Sequence, residues 1–282
     1  MNAGKISKFN EFTVHRVFTR QVNGLVDLTN SLAVSIYVHL RLVVRSRLTR
    51  LLVKFSWICG LLGATACSNQ MALRPFTRDP RGELAARVRA TPKLAVLFVG
   101  NSYSFGLPRA FSQRAAGGGR NVRVGHSTFG GWTLARHAAS EATLRKIREG
   151  KWDIVVLQEQ SEIPALPARK RAAAMFPPLR QLVSEVRSHG AIPVLYQTWG
   201  RRDGEKGIWR DDFHAMNSRL RDGYQAASNN VGGVVVVPVG DGWEHEISAG
   251  RGGGLFMDDG SHPSAAGNAL TAAVFYQAIF GK

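Results

Sequence analysis

Three residues have types and spacing that could do chemistry together: Ser102, and the pair Asp259 and His262. Ser102 closes the stretch Leu94-Ala-Val-Leu-Phe-Val-Gly-Asn-Ser102, an apolar run that ends in small polar residues and turns at once through Tyr-Ser-Phe-Gly-Leu-Pro108. A hydroxyl at the end of a buried strand is presented to solvent, and the free N–H groups of a following helix would face any negative charge that develops beside it. Taken alone, Gly-Asn-Ser is also an ordinary turn with a capping serine. The motif is not Gly-x-Ser-x-Gly, so a sharp nucleophile elbow is not expected. Ser104 is a weaker candidate, two residues farther from the strand. Asp259 and His262 stand three apart in Phe256-Met-Asp-Asp-Gly-Ser-His-Pro-Ser264. That spacing lets a carboxylate reach the imidazole of its own segment and fix its tautomer, leaving the other ring nitrogen to take a proton from a hydroxyl. Pro263 disfavours helix at His262, so the pair belongs to a loop. Asp258 has the wrong spacing to His262 and is expected to face solvent.

The elements that must position these groups follow from alternating patterns. Apolar runs at 94–99, 153–157, 192–196 and 234–239, and an alternating stretch at 121–126, read as strands. Helical patterns at 108–116, 133–149, 168–188, 211–227 and 264–279 separate or follow them. Continuously apolar strands alternating with amphipathic helices predict a parallel sheet covered on both faces. Ligands of such a sheet gather beyond the carboxyl ends of its strands. Met71–Thr91 is polar, holds Pro75 and Pro80, and reads as a tether, so the folded domain is placed at 93–282 after a linker at 68–92.

Gly100-Asn-Ser after the first strand and Asp259-Gly-Ser-His-Pro-Ser264 near the carboxyl end resemble the first and last blocks of the SGNH (GDSL-like) hydrolases, in the correct order, over about residues 94–282. The resemblance implies a flavodoxin-like three-layer α/β/α fold with a five-stranded parallel sheet, and metal-independent cleavage of esters with no cofactor. It puts the nucleophile on Ser102 and the base on His262, with Asp259 as its partner. The oxyanion hole falls to the Ser102 amide, to Gly131 in Thr128-Phe-Gly-Gly-Trp-Thr133 (Gly130 being the alternative), and to a third donor. The family has Gly-x-Asn-Asp at that third place; here Leu157-Gln-Glu-Gln-Ser161 puts Gln160 in register with the Asn, and Gln158 competes for the role. The family's Asp in the first block is Asn101 here. Trp199 and Arg201 after the fourth strand, and Trp243 after the fifth, are candidates to line the substrate cleft. Small acyl esters are the implied substrates, with O-acetyl groups on carbohydrate the leading class by fold analogy. An acyltransferase using the same serine and a catalytically silent ligand-binding lipoprotein are the rival readings.

His126, His137, His189, His214 and His245 are dispersed without metal-ligand spacing, so no metal site is expected. The net charge of +17 is scattered, with no basic run carrying interleaved aromatics, which argues against a nucleic-acid partner. Part of that charge has another explanation. Arg45, Arg47, Arg50 and Lys54 precede the short apolar core Phe55–Ala66, and Cys67 follows. This is the layout of a secretory signal, too short for a comfortable membrane span. Ala64-Thr-Ala-Cys67 resembles a bacterial lipoprotein box, with Ala64 where Leu is preferred. It implies a signal peptide at 45–67, a lipid anchor on Cys67 and an exported, membrane-anchored protein. Plain signal-peptidase cleavage or a buried helix would also fit the segment. Residues 1–44 upstream are read as an overlong gene-model extension or as disordered. Cys59 and Cys67 are the only cysteines, so no disulfide framework is expected.

Overall fold

The five expected strands form one parallel sheet in the order β2-β1-β3-β4-β5. The computed structural model describes residues 79–281. Along the chain come α1 (Pro80–Ala90), β1 (Lys93–Gly100), α2 (Leu107–Gly117), β2 (Asn121–Thr128), α3 (Leu134–Ala138), α4 (Glu141–Glu149), β3 (Ile154–Leu157), α5 (Ala168–Ser188), β4 (Ile192–Gln197), α6 (Phe213–Asn230), β5 (Val235–Pro238), α7 (Val239–Ser248) and α8 (Ala265–Phe280). The order is that of flavodoxin-like doubly wound sheets, whose winding reverses between β1 and β3.

Alternate side chains of one strand supply two cores. Leu94, Val96 and Phe98 of β1 pack with Phe111 of α2, Trp243 of α7 and Phe275 of α8. Ala95, Leu97 and Val99 pack on the opposite face with Leu134 of α3, Ile147 of α4, Leu179 and Val183 of α5, and Tyr224 of α6. Burial on both faces is why β1, β3 and β4 read as unbroken apolar runs, whereas β2 at the sheet edge alternates.

The structure corrects the sequence expectation in three places. Residues 80–90 are not tether but helix α1: Asp79 Oδ1 accepts the Gly82 N–H at 3.0 Å, and Pro80 occupies the first turn. The Asp-Pro pair is a helix start rather than a break. Leu84 is buried in the first core, and Arg87 pairs with Asp153 at 3.3 Å, so α1 belongs to the folded body. The single helix expected at 133–149 is two, because the Ser140 hydroxyl accepts the Thr143 N–H at 3.3 Å and caps a new start. The fifth strand stops at Pro238, and α7 follows at once, carrying Trp243 into the core. The signal segment, Cys67, the 1–44 extension and the first part of the linker lie outside the described residues. No described helix is long and apolar enough to cross a membrane.

Candidate active site

Parallel register brings three strand ends together. Gly100 of β1 pairs with Thr128 of β2, and Val99 pairs with Leu157 of β3, so the loops holding Ser102, Gly131 and Gln160 leave three adjacent strands with Ser102 in the middle. Ser102 opens a single 3-10 turn, Ser102–Ser104, and Asn101 caps it by accepting the Tyr103 N–H at 3.2 Å.

His262 reaches the same rim from the loop before α8. Phe256 and Pro263 form an isolated bridge, the Met257 N–H donates to the His262 carbonyl at 2.8 Å, and Gly260 turns the loop at φ +66°. The Arg202 amide donates to the Gly260 carbonyl at 2.8 Å and its guanidinium to the Asp258 carbonyl at 3.2 Å, so the loop after β4 holds the turn in place. Although 160 positions apart in sequence, Ser102 Oγ and His262 Nε2 lie 2.9 Å from each other. His262 Nδ1 stands 2.5 Å from Asp259 Oδ2. Since a carboxylate can only accept, Nδ1 carries the proton and Nε2 is left to accept from the hydroxyl. Asp259 Oδ1 also accepts the Ser261 and His262 amides, both at 2.9 Å. Desolvation pushes this carboxyl up, but the bonds from His262 and the two amides outweigh it and hold it down at about 2. Asp258 is exposed, as its spacing suggested.

The donors expected around the oxyanion differ in how free they are. The Ser102 and Gly131 amides make no hydrogen bond to any described residue. Gly131 has φ +69° with open space where a Cβ would stand, so conformation rather than crowding requires glycine there. Gln158 is excluded as a donor to substrate because its amide is used up inside the protein. Oε1 accepts from the Asn101 amide at 2.8 Å and from Ser104 Oγ at 3.0 Å, while Nε2 donates to Asn101 Oδ1 and to the Glu159 carbonyl. The same bonds explain Ser104: it is buried and serves Gln158. Gln160 is half-buried; its Oε1 accepts the Glu162 amide at 2.8 Å, and no described group takes its Nε2.

Two of the three expected cleft residues, Trp199 and Trp243, are corrected. Trp199 and Trp243 are fully buried and stack on each other at 3.9 Å with planes 2° apart, and Tyr103 stacks on the outer face of Trp199 at 4.8 Å. Their N–H groups go to the Ser261 carbonyl and the Thr271 hydroxyl. These rings form the backing of the loop, and substrate cannot reach them. Arg201 is drawn into an ion pair with Glu162 at 2.6 Å and donates to Ser161 Oγ, tying the loop after β4 to the loop after β3. The large apolar side chains left open near the serine are Phe105 (57% exposed), Phe129 (39%) and Met257 (54%), which pattern-reading passed over because they sit outside regular elements. Tyr103 was also missed: its hydroxyl lies 2.5 Å from Ser261 Oγ, and its ring meets His262 edge-on at 5.4 Å. His137 is a satisfied core histidine. It donates Nε2–H to the Gly100 carbonyl at 2.9 Å, and burial pulls its pKa down. Among the described residues no group of side chains could hold a metal ion.

The five-strand parallel sheet with helices on both faces is the α/β fold of the SGNH hydrolases. The comparisons with solved structures agree on that fold. A DUF4886 family protein from Bacteroides uniformis aligns with 67% of this chain and 84% of its own at 18% identity and a TM-score of 0.60. The lipase/acylhydrolase from Enterococcus faecalis aligns with 67% of this chain and 96% of its own, at 18% identity and a TM-score of 0.50. A catalytic mutant of an acetylxylan esterase from Geobacillus stearothermophilus aligns with 66% and 94%, at 16% identity and a TM-score of 0.51. No family model and no curated protein matches the sequence.

Proposed function

We propose that the protein is a serine esterase of SGNH type. The observation that carries this reading is the unbroken series Ser102 Oγ, His262 Nε2, His262 Nδ1, Asp259 Oδ2, with steps of 2.9 Å and 2.5 Å. His262 Nε2 takes the Ser102 proton as Oγ attacks the ester carbonyl, and the carbonyl oxygen becomes an oxyanion. The Ser102 and Gly131 amides and Gln160 Nε2 receive it, in a role they have only as charge develops. The tetrahedral intermediate expels the alcohol, to which His262 returns the proton. Water then attacks the acyl-enzyme, giving up a proton to His262, which passes it to Ser102 Oγ as the acid is released. Asp259, held ionised, orients the imidazole and stabilises its cationic form.

Small acyl esters are the substrate class, with O-acetyl groups on carbohydrate the leading candidate. Supporting this are the shared fold with an acetylxylan esterase and the open rim of Phe105, Phe129 and Met257. The lipobox-like Ala64-Thr-Ala-Cys67 after a basic flank supports export and a lipid anchor on Cys67. A fluorophosphonate probe followed by peptide mapping tests the mechanism: modification is expected on Ser102. A Ser102→Ala protein that hydrolyses p-nitrophenyl acetate as fast as the parent would overturn the mechanism. Mass spectrometry of the protein made in its own cells tests the anchor; an unmodified Cys67 removes it.

A further inference from the structure

Strands β2 and β3 do not touch, because β1 runs between them. Yet the loops beyond them carry Gly131 and Gln160, two of the donors assigned to one substrate oxygen. Something must set the distance across the top of β1. The carboxyl of Glu159, with the residue fully buried, makes such a span: its Oε1 accepts the Leu134 amide at 3.0 Å and the Gln160 amide at 2.7 Å. Leu134 is the first residue of α3, three after Gly131, and its N–H has no partner within the helix. The Gln160 amide belongs to the donor residue itself. Both bonds end on one oxygen, so the two loops cannot separate without breaking one of them.

Burying a carboxyl is costly, but an apolar side chain of similar volume would leave both amides without the acceptor they share. Glu159 Oε2 emphasises the cost: it is buried with no hydrogen-bond partner among the described residues. Its charge also bears on the buried Tyr224 of α6.

We infer that Glu159 is a positioning residue for the oxyanion hole, joining the Gly131 loop to the Gln160 loop through its buried carboxyl. The inference rests on the proposed serine mechanism. It does not make Glu159 a proton carrier, since its bonds go to backbone amides and not to Ser102 or His262.

An oxyanion hole acts on the transition state, so loosening it lowers kcat while leaving KM alone. Glu159→Ala removes the shared acceptor. Glu159→Gln keeps an oxygen that can accept both amides. Glu159→Leu fills the volume without accepting. With p-nitrophenyl acetate as substrate, kcat is expected to fall on the order of 10- to 100-fold in Glu159→Ala and Glu159→Leu, with KM within about twofold, while Glu159→Gln stays within about threefold of the parent. Far-UV circular dichroism establishes which variants are folded, and the leucine variant serves if the alanine one is not. A folded Glu159→Leu with parental kcat overturns the inference, as does a Glu159→Gln as impaired as Glu159→Leu. Failure of the serine mechanism is a separate result: it appears as full activity in Ser102→Ala.

Discussion

Asn101 and Gln158 form a reciprocal pair across the gap between β1 and β3: the Asn101 amide donates to Gln158 Oε1 at 2.8 Å, and Gln158 Nε2 donates to Asn101 Oδ1 at 3.0 Å. Asn101 Nδ2 goes on to the Trp132 carbonyl at 3.0 Å, next to Gly131. A neutral amide is therefore required here, because position 101 must donate and accept at once. A carboxylate at this position should harm the protein. Asn101→Asp strands the Trp132 carbonyl and brings a charge to a position 2% exposed, with an expected loss of about 1–3 kcal/mol and a fall in kcat. Urea unfolding and steady-state kinetics measure both. An Asn101→Asp protein with the parent's midpoint and turnover would show that the pair does nothing for the site.

Asp259 should matter in two pH-dependent ways. Its carboxyl is held at about 2, below the ordinary value of ~3.9, so the stability it contributes is present above that ordinary range and is lost as pH falls towards 2. The side chain is 48% exposed, and solvent screening keeps this contribution small. Asp259→Asn should flatten the parent's stability loss between pH 4 and pH 2, read by acid-induced unfolding. Its larger effect is on turnover. An amide cannot accept from Nδ1–H, Ser261 N–H and His262 N–H together without facing one donor with another, so a fall in kcat on the order of 10³–10⁴ is expected. A loss under tenfold would mean that the imidazole is oriented by something else.

Strands and the Ser102, Asp259 and His262 positions were legible because each rests on local rules: unbroken apolar runs for a doubly covered sheet, and a carboxylate three residues from an imidazole. What was not legible depends on residues distant in sequence. Trp199 and Trp243 follow strands, as cleft residues do, and only their stacking across the gap between the loop after β4 and α7 shows that they are interior. Arg201 could not be seen to pair with Glu162, 39 residues earlier, from either neighbourhood. Gln158 and Gln160 are two apart and chemically identical; the register of β1 against β3 alone separates the one facing Asn101 from the one at the rim. Helix α1 was hidden for a different reason: Asp79-Pro80 is equally a turn and a helix start, and the packing of Leu84 decides between them.

The Tyr103–Trp199–Trp243 stack replaces a substrate role with a scaffolding one, and the two are separable. Truncating a fully buried aromatic of this size costs about 3–5 kcal/mol, so Trp199→Ala and Trp243→Ala should be strongly destabilised. Trp243→Phe keeps a ring in the stack and should retain most of the stability. In the folded fraction of Trp243→Phe, KM for p-nitrophenyl acetate should stay within about twofold of the parent, since substrate never reaches this ring. Chemical denaturation with kinetics on the same samples decides. A raised KM at unchanged stability would return Trp243 to the binding surface.

Glu159 links the site's geometry to a measurable pH slope. Burial pushes its carboxyl up to about 7, against the smaller opposing pull of the Gln160 and Leu134 amides. Between its ordinary value of ~4.3 and about 7, the folded protein therefore holds a proton that the unfolded chain has released. Stability is whole below that window and declines as pH rises through it, by roughly 4 kcal/mol in all. Glu159→Gln cannot ionise and should lose this decline while keeping both amide bonds. His137, whose pKa burial lowers, contributes a slope of the opposite sign, but it does so in both proteins and cancels in the comparison. Urea unfolding of parent and variant at intervals from pH 4.5 to 8 gives the difference directly. The expected result is a gap in favour of Glu159→Gln that opens as pH rises; parallel curves would mean that the buried carboxyl ionises as readily as one in water.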